Sequence, residues 1–253
     1  GHYKGGVAVP EADYVDVGER LATDIGRDYT FLHPEVLDQK CGIKDGHLLL
    51  PNRVHPARFS VLILPGHKTI HWSSLKKIQA FYDQGGKVIA TGQLPSKSAE
   101  FGHDQDVEHA ISAMFDETRA ATEAPFTMRR NDRGGRAIRL AKLSSGVLRE
   151  ALDAARQDFD VTFKPGTSLR YIHKTSKGQH VFFLANLNSR LTESFVTIRG
   201  HHDLQAWDPH TGSIRAVDLK HVTRTGTDFT EIRLNLPHLR SVFLITGIAP
   251  HTS

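Results

Sequence analysis

The chain has 253 residues, 39% of them hydrophobic and 24% charged, with 32 basic against 28 acidic side chains and a formal net charge of +4. That length predicts two domains, each able to bury a core, and the absence of an apolar run of ~18 residues argues against a membrane span. The basic excess is too small and too dispersed to argue for a nucleic-acid partner, and Cys41, the sole cysteine, excludes an intrachain disulfide or a thiolate metal cluster.

The chain opens on Gly1-His2 without a basic-then-apolar leader, and is expected to be a fragment of a longer protein. Val7-Ala8-Val9 is a very short candidate for a first strand. Asp13 is a plausible N-cap for a helix that aligns Tyr14, Val17, Leu21 and Ile25 and ends at Gly26. Tyr29 to Leu32 reads as a short strand, and Ile43 to Leu50, turning at Asp45-Gly46, as a hairpin. Val61 to Leu64, closed by Pro65-Gly66, is expected to be a central parallel strand covered on both faces. Ser73 or Ser74 would cap a helix burying Leu75, Ile78, Phe81 and Tyr82, ended by Gly85-Gly86. Val88 to Ala90 is the next strand. Further helices begin at Asp104, with Val107, Ile111, Met114 and Phe115 inward, and near Ser145, burying Leu148, Leu152 and Ala155. This alternation predicts a parallel sheet. After Asp158 the pattern becomes short strands and turns: Leu169 to His173, His180 to Leu184, Phe195 to Ile198, Leu204 to Trp207, Ile214 to Val217, Ile232 to Leu236 and Val242 to Ile245. About seven such strands suggest a β-sandwich. The fold class expected is α/β plus all-β, divided near Lys164-Pro165-Gly166.

Several stretches, in order, resemble the C-terminal part of bacterial α-L-rhamnosidase-like glycoside hydrolases of family 106. They are Arg27 to Leu37, Val61 to Gly66, Lys77 to Thr91, Phe183 to Asn186 and Trp207 to Gly212. The resemblance implies a flavodoxin-like, class I glutamine amidotransferase-like α/β domain at 1–162 and a β-sandwich at 163–253. It implies a non-catalytic accessory region that packs on a (β/α)₈ catalytic domain acting on poly- or oligosaccharide, in a periplasmic or secreted enzyme. No catalytic residue carries over, and no cofactor or metal is implied. A barrel alone needs about 250 residues, so it would have to lie outside this chain. Two rivals are a carbohydrate-binding β-sandwich and an amidase or hydrolase using the α/β domain.

In amidotransferases the nucleophilic cysteine sits in a sharp turn after a central strand. Gly92 takes roughly that place here, whereas Cys41 precedes a hairpin and reads as packing. The crevice beyond the strand ends would be edged by His33, Gly66, His67, Thr91 and Gln93. His67 and His71 are four apart but in a loop, a poor metal spacing. Asp104, Asp106 and Glu108 suit calcium or paired carboxylates by type, yet acids at a helix start need no ligand. Arg129, Arg130, Arg133, Arg136, Arg139 and Lys142 surround Gly134-Gly135 without interleaved aromatics, as in a solvated hairpin or a face against an acidic neighbour, and no nucleic acid is expected. Trp207 is a candidate for stacking on sugar, against a packing role; Trp72 is weighed the same way.

Overall fold

A computed structural model describes residues 13–52, 56–115, 124–156, 159–164, 166–167, 169–176 and 178–247. The expected Val7–Val9 strand, Pro165 of the expected border and Lys177 of the expected hairpin turn lie outside them. The chain divides into two compact units, one of Gly1–Arg20 and Thr30–Gln157, the other of Leu21–Tyr29 and Asp158–Ser253.

The first unit contains, in order, α1 (Tyr14–Arg20), α2 (Pro34–Lys40), β1 (Gly42–Lys44), β2 (His47–Leu50), β3 (Ala57–Phe59), β4 (Val61–Leu64), β5 (Thr69–Ile70), α3 (Trp72–Asp83), β6 (Lys87–Ala90), β7 (Lys97–Ser98), α4 (Asp104–Met114), β8 (Phe126–Arg130), β9 (Arg136–Leu140) and α5 (Ser145–Ala155). Its main sheet has the order β4-β6-β9-β8, parallel except for β8. Among the described residues β6, not β4, is central: Val88, Ile89 and Ala90 are buried, whereas only Leu64 of β4 is. The uninterrupted apolar run of β4 marked the right element, which has β6 as its one neighbour among the described strands. Val88, Ala90 and Ala137 belong to the core that includes Leu75, Ile78, Phe81, Val107 and Ile111 of α3 and α4. The alternating positions Ile89 and Ile138 point to the other face, where α5 packs on β6 and β9.

Several expectations shift. Tyr29 to Leu32 forms no strand but leads into α2, which starts with Pro34 at a position where the missing N–H costs nothing. Helix α3 starts at Trp72, so Ser73 and Ser74 are inside its first turn, and their hydroxyls donate to Asp38 Oδ2 at 2.8 and 3.1 Å. The cap comes from a distant residue: Glu100 accepts from the Trp72 N–H at 2.5 Å and the Ser73 N–H at 3.5 Å. Slight desolvation opposes its ionisation but is outweighed by these N–H groups, the Ser73 hydroxyl and His71, which hold the carboxyl below its ordinary range.

Where α3 ends, two pieces of backbone come very close. The Tyr82 carbonyl accepts from Asn131 Nδ2 at 2.8 Å, Asn131 Oδ1 accepts from the Gly135 N–H at 2.7 Å, and the Arg136 N–H donates to the Gly86 carbonyl at 3.1 Å. A Cβ on Gly135 would be 2.2 Å from the Tyr82 carbonyl oxygen, and one on Gly86 2.5 Å from that of Phe81. Only glycine fits there.

The second unit begins with a π-helical turn, Leu21–Ile25, and continues with β10 (Val161–Phe163), β11 (Leu169–Ser176), β12 (Gln179–Asn186), β13 (Thr192–Arg199), β14 (Leu204–Trp207), β15 (Ile214–Ala216), β16 (Leu219–Arg224), β17 (Thr227–Leu236) and β18 (Ser241–Thr246). They form two antiparallel sheets, β10-β13-β17-β16 and β11-β12-β18-β14-β15. Residues of both, among them Val161, Phe182, Leu184, Val196, Ile198, Ile232 and Leu244, make one buried core. A border at 162/163 falls inside β10, which pairs with β13. Within this unit Arg27 donates to the Val161 carbonyl at 2.8 Å and lies 3.9 Å over the Phe159 ring.

Candidate site at the carboxyl edge of the first sheet

Parallel strands β4, β6 and β9 end together at Leu64, Ala90 and Leu140, and the loops leaving them meet. The Thr91 N–H donates to the Leu64 carbonyl at 3.1 Å and the His67 N–H to the Gln93 carbonyl at 3.1 Å. Asp13, read from sequence only as a cap, organises this edge. Its Oδ1 accepts from the Gly66 N–H at 2.6 Å and from the buried Thr91 hydroxyl at 2.9 Å. Gly92 has φ +60, and a Cβ there would be 3.1 Å from Asp13 Oδ2 and 3.3 Å from Gly66 Cα. Gly92, compared from sequence with an amidotransferase nucleophile, thus favours glycine and faces a carboxylate, a poor neighbour for a thiolate. Nothing in the sequence spacing linked Asp13 to Gly66 and Thr91, which are 53 and 78 residues away.

Gly66, His67, Thr91 and Gln93 are therefore brought together. His33 is exposed at the start of α2, where its carbonyl accepts from the N–H groups of Val36 and Leu37. His67 Nδ1 accepts from the Thr69 N–H at 3.2 Å, a local turn bond. A cavity of about 140 Å³ opens beside Gly92, lined by Phe126, Thr127, Arg139 and Leu140 among others, and its lining includes none of the five sequence candidates. Cys41 is buried in the core of the first unit, and burial pushes its thiol up, against a weaker opposing pull from Lys77; this is the reverse of an activated nucleophile.

The charged clusters hold structure together. Asp104 accepts from Lys97 Nζ at 2.8 Å and the Ser98 N–H at 2.9 Å, and these bonds keep its carboxyl below the ordinary range. Asp106 meets His103 at 2.6 Å. Arg129 donates to the Ser112 and Ala113 carbonyls at the end of α4, and Arg136 to the Ala154 and Ala155 carbonyls at the end of α5. Two members of the basic cluster thus cap helix C-termini, where the dipole favours a cation. Asp208 accepts from the His210 N–H at 2.7 Å and is lowered first by that bond, with Thr211 adding to it. Trp207 is half-buried, its Nε1 donating to Gln205 Oε1 at 3.3 Å.

A histidine cluster in the second unit was not anticipated. His173 Nδ1 is 3.3 Å from Asp160 Oδ2, and its Nε2 is 2.9 Å from His180 Nδ1. A carboxylate only accepts, so Nδ1 of His173 donates to Asp160, and one of the two facing nitrogens, His173 Nε2 and His180 Nδ1, donates to the other. Burial lowers the His180 pKa, and His202 and His173 lower it further while Asp160 opposes them. A base whose folded pKa is depressed binds fewer protons folded than unfolded once pH falls through the unfolded value near 6.5. Stability is thus expected to be level above about pH 6.5 and to fall below it. Thermal melts from pH 7.5 to 5 should show a Tm falling with acidity, and His180→Gln should flatten that slope; an unchanged slope would remove His180 from the account.

The sequence matches the family model for α-L-rhamnosidase, glycoside hydrolase family 106, over residues 15–221. That is most of the chain, and the chain belongs to this family. No curated protein matches the sequence. Among solved structures, a rhamnosidase from Novosphingobium sp. PP1Y superposes with a TM-score of 0.66 at 17% identity, covering 90% of this chain and 20% of that one. Weaker likenesses are a β-galactosidase from Bacillus circulans sp. alkalophilus (TM-score 0.49, 10% identity, 75% of this chain and 33% of that one) and α-L-fucosidase isoenzyme 2 from Paenibacillus thiaminolyticus (0.47, 12%, 76% and 41%). The chain spans about a fifth of the length of the rhamnosidase, whose likeness establishes the mixed α/β and β-rich fold. Family membership puts the chain in the context of a carbohydrate-degrading enzyme. No helix among the described residues is long and apolar enough to cross a membrane.

Proposed function

We propose that this chain is a non-catalytic accessory region of a larger, periplasmic or secreted glycoside hydrolase, packing on a (β/α)₈ catalytic domain and stabilising it. In this reading the first unit is an amidotransferase-like layer that has no nucleophile, and the second is a β-sandwich. The observation that carries the reading is the chain's 20% share of the rhamnosidase it superposes on. A barrel needs about 250 residues, whereas the described residues here build other sheets. The acids add support. Glycoside hydrolysis needs one carboxyl raised to act as general acid and a second facing it, but Asp104, Asp208 and Glu100 are all held low and occupied by backbone N–H groups. Asp28 is raised by partial burial, which Lys174 and the Tyr29 N–H oppose.

The test compares the parent enzyme with a form lacking this region. Deletion should lower the Tm of the remainder, and adding the purified chain in trans should restore part of it. Equal Tm and equal rates in both forms would contradict the proposal.

A further inference from the structure

The alternation of β11, β12, β18, β14 and β15 leaves one face of their sheet turned away from the core. Phe182, Leu184, Val242, Leu244, Leu204 and Ala206 are buried inward, so their neighbours Phe183, Phe243 and Trp207 point outward. The register then produces a row that composition does not reveal. Ile172 pairs with Phe183, Phe183 with Phe243, Phe243 with Trp207 and Trp207 with Ile214, one apolar side chain from each of the five strands. Ile172 and Ile214 are 46% and 53% exposed, and the three aromatics keep part of their surface open. The Phe183 and Phe243 rings are 4.9 Å apart and tilted by 46°. Two residues away along the strands the row is flanked by Lys174, Val181, Ile245 and Gln205 on one side and by Arg170, Ala185 and Ser241 on the other, so polar groups lie on both sides while Val181 and Ile245 widen the apolar surface over β12 and β18.

We propose that this row is a binding platform for a linear oligosaccharide lying across the strands. The size of the row decides among occupants. Five strands at about 4.8 Å spacing make a stripe roughly 19 Å long, two side chains wide over β12 and β18 and one elsewhere, on the order of 200 Å². A stable protein interface needs about 800 Å² from each partner. The stripe is far too small for a second copy or a folded domain, but it accommodates a few pyranose rings. Sugar rings present a C–H face to an aromatic surface and hydroxyls at their edges. The platform supplies both complements, since each flank carries hydrogen-bonding groups, and the Trp207 Nε1–Gln205 bond fixes one of them beside the indole. Sheet twist rotates successive platform residues, so the bound chain would follow a twisted path. This inference goes beyond the accessory reading, and either can fail without the other.

The test is calorimetric titration of the purified chain with β-1,4-galactan, xylan and rhamnogalacturonan oligosaccharides, alongside Trp207→Ala and Ile214→Ser. At least one probe should bind, with affinity reduced about tenfold or more by Trp207→Ala and several-fold by Ile214→Ser. Ile214 is half exposed and leaves the core untouched, so that variant reports on the platform even where Trp207→Ala fails to fold. Binding unchanged by Ile214→Ser and by a folded Trp207→Ala would put the sugar site elsewhere. Silence from all probes at millimolar concentration would overturn the saccharide assignment, as would concentration-dependent dimerisation that Ile214→Ser abolishes.

Discussion

Replacing Gly135 with alanine is expected to destabilise the first unit by about 3 kcal/mol or more and to lower its melting temperature by roughly 10 °C. The new methyl would lie 2.2 Å from the Tyr82 carbonyl oxygen and 2.5 Å from Asn131 Nδ2. Neither obstacle is the free end of a flexible side chain. Tyr82 O is backbone at the C-terminus of α3, and Asn131 is held there by bonds to Tyr82 O, Gly135 N and Arg133 N. Relief would therefore mean separating α3 from the β8–β9 turn. Two glycines nearby in sequence serve as controls. Gly134 has open space but φ +81, so alanine there should cost only about 1 kcal/mol of backbone strain. Gly146, inside α5 with nothing within 4 Å, should gain up to about 1 kcal/mol from alanine. Melting curves of the three variants should rank Gly146→Ala above wild type, Gly134→Ala slightly below and Gly135→Ala far below. A Gly135→Ala variant that melts with wild type would refute the close approach.

Asn186→Ala should be comparably damaging to the second unit, by about 3 kcal/mol, for a different reason. The side chain is 1% exposed and ends β12 where three carbonyls converge. Its Nδ2 donates to Arg190 O at 2.8 Å and to Leu236 O and Pro237 O at 3.0 Å each, and its Oδ1 accepts from the Asn188 N–H at 2.9 Å. Truncation leaves these backbone groups desolvated without partners, the expensive side of hydrogen-bond energetics. Asn186→Asp should be at least as severe, since a carboxylate would replace the donor among carbonyl oxygens. Denaturant midpoints would measure both, and changes below about 1 kcal/mol would show that water substitutes for the side chain.

Most elements with a strong period were legible in the sequence: α3, α4, α5, β6 and, except for β16, the strands from Leu169 onward fall where the apolar spacing puts them. What escaped depends on pairing at a distance. The place of β4 beside β6 follows from strand order, which a local run cannot express. Glu100 capping a helix 28 residues earlier has the same character, as does Asp13 bridging two strand ends. The motif Phe183 to Asn186 could be quoted but not interpreted, because its meaning lies in alternation: Phe183 outward on the sheet, Leu184 inward, and Asn186 binding a loop. Likewise Trp207 was visible as a lone aromatic, while the row containing it exists only once five strands are in register. At the carboxyl edge of the first sheet, Gly66, His67, Thr91 and Gln93 could be grouped from sequence because strand ends follow from the elements themselves. His33 shares no such constraint.

The central claim is that this chain supports catalysis without performing it. Its most direct test is hydrolysis of aryl α-L-rhamnoside and aryl β-galactoside by the purified chain, measured beside the parent enzyme. The account predicts sugar release no greater than a buffer blank. Turnover that survives repurification and is abolished by Asp28→Asn or Asp160→Asn, two acids that interact with His173, would contradict it.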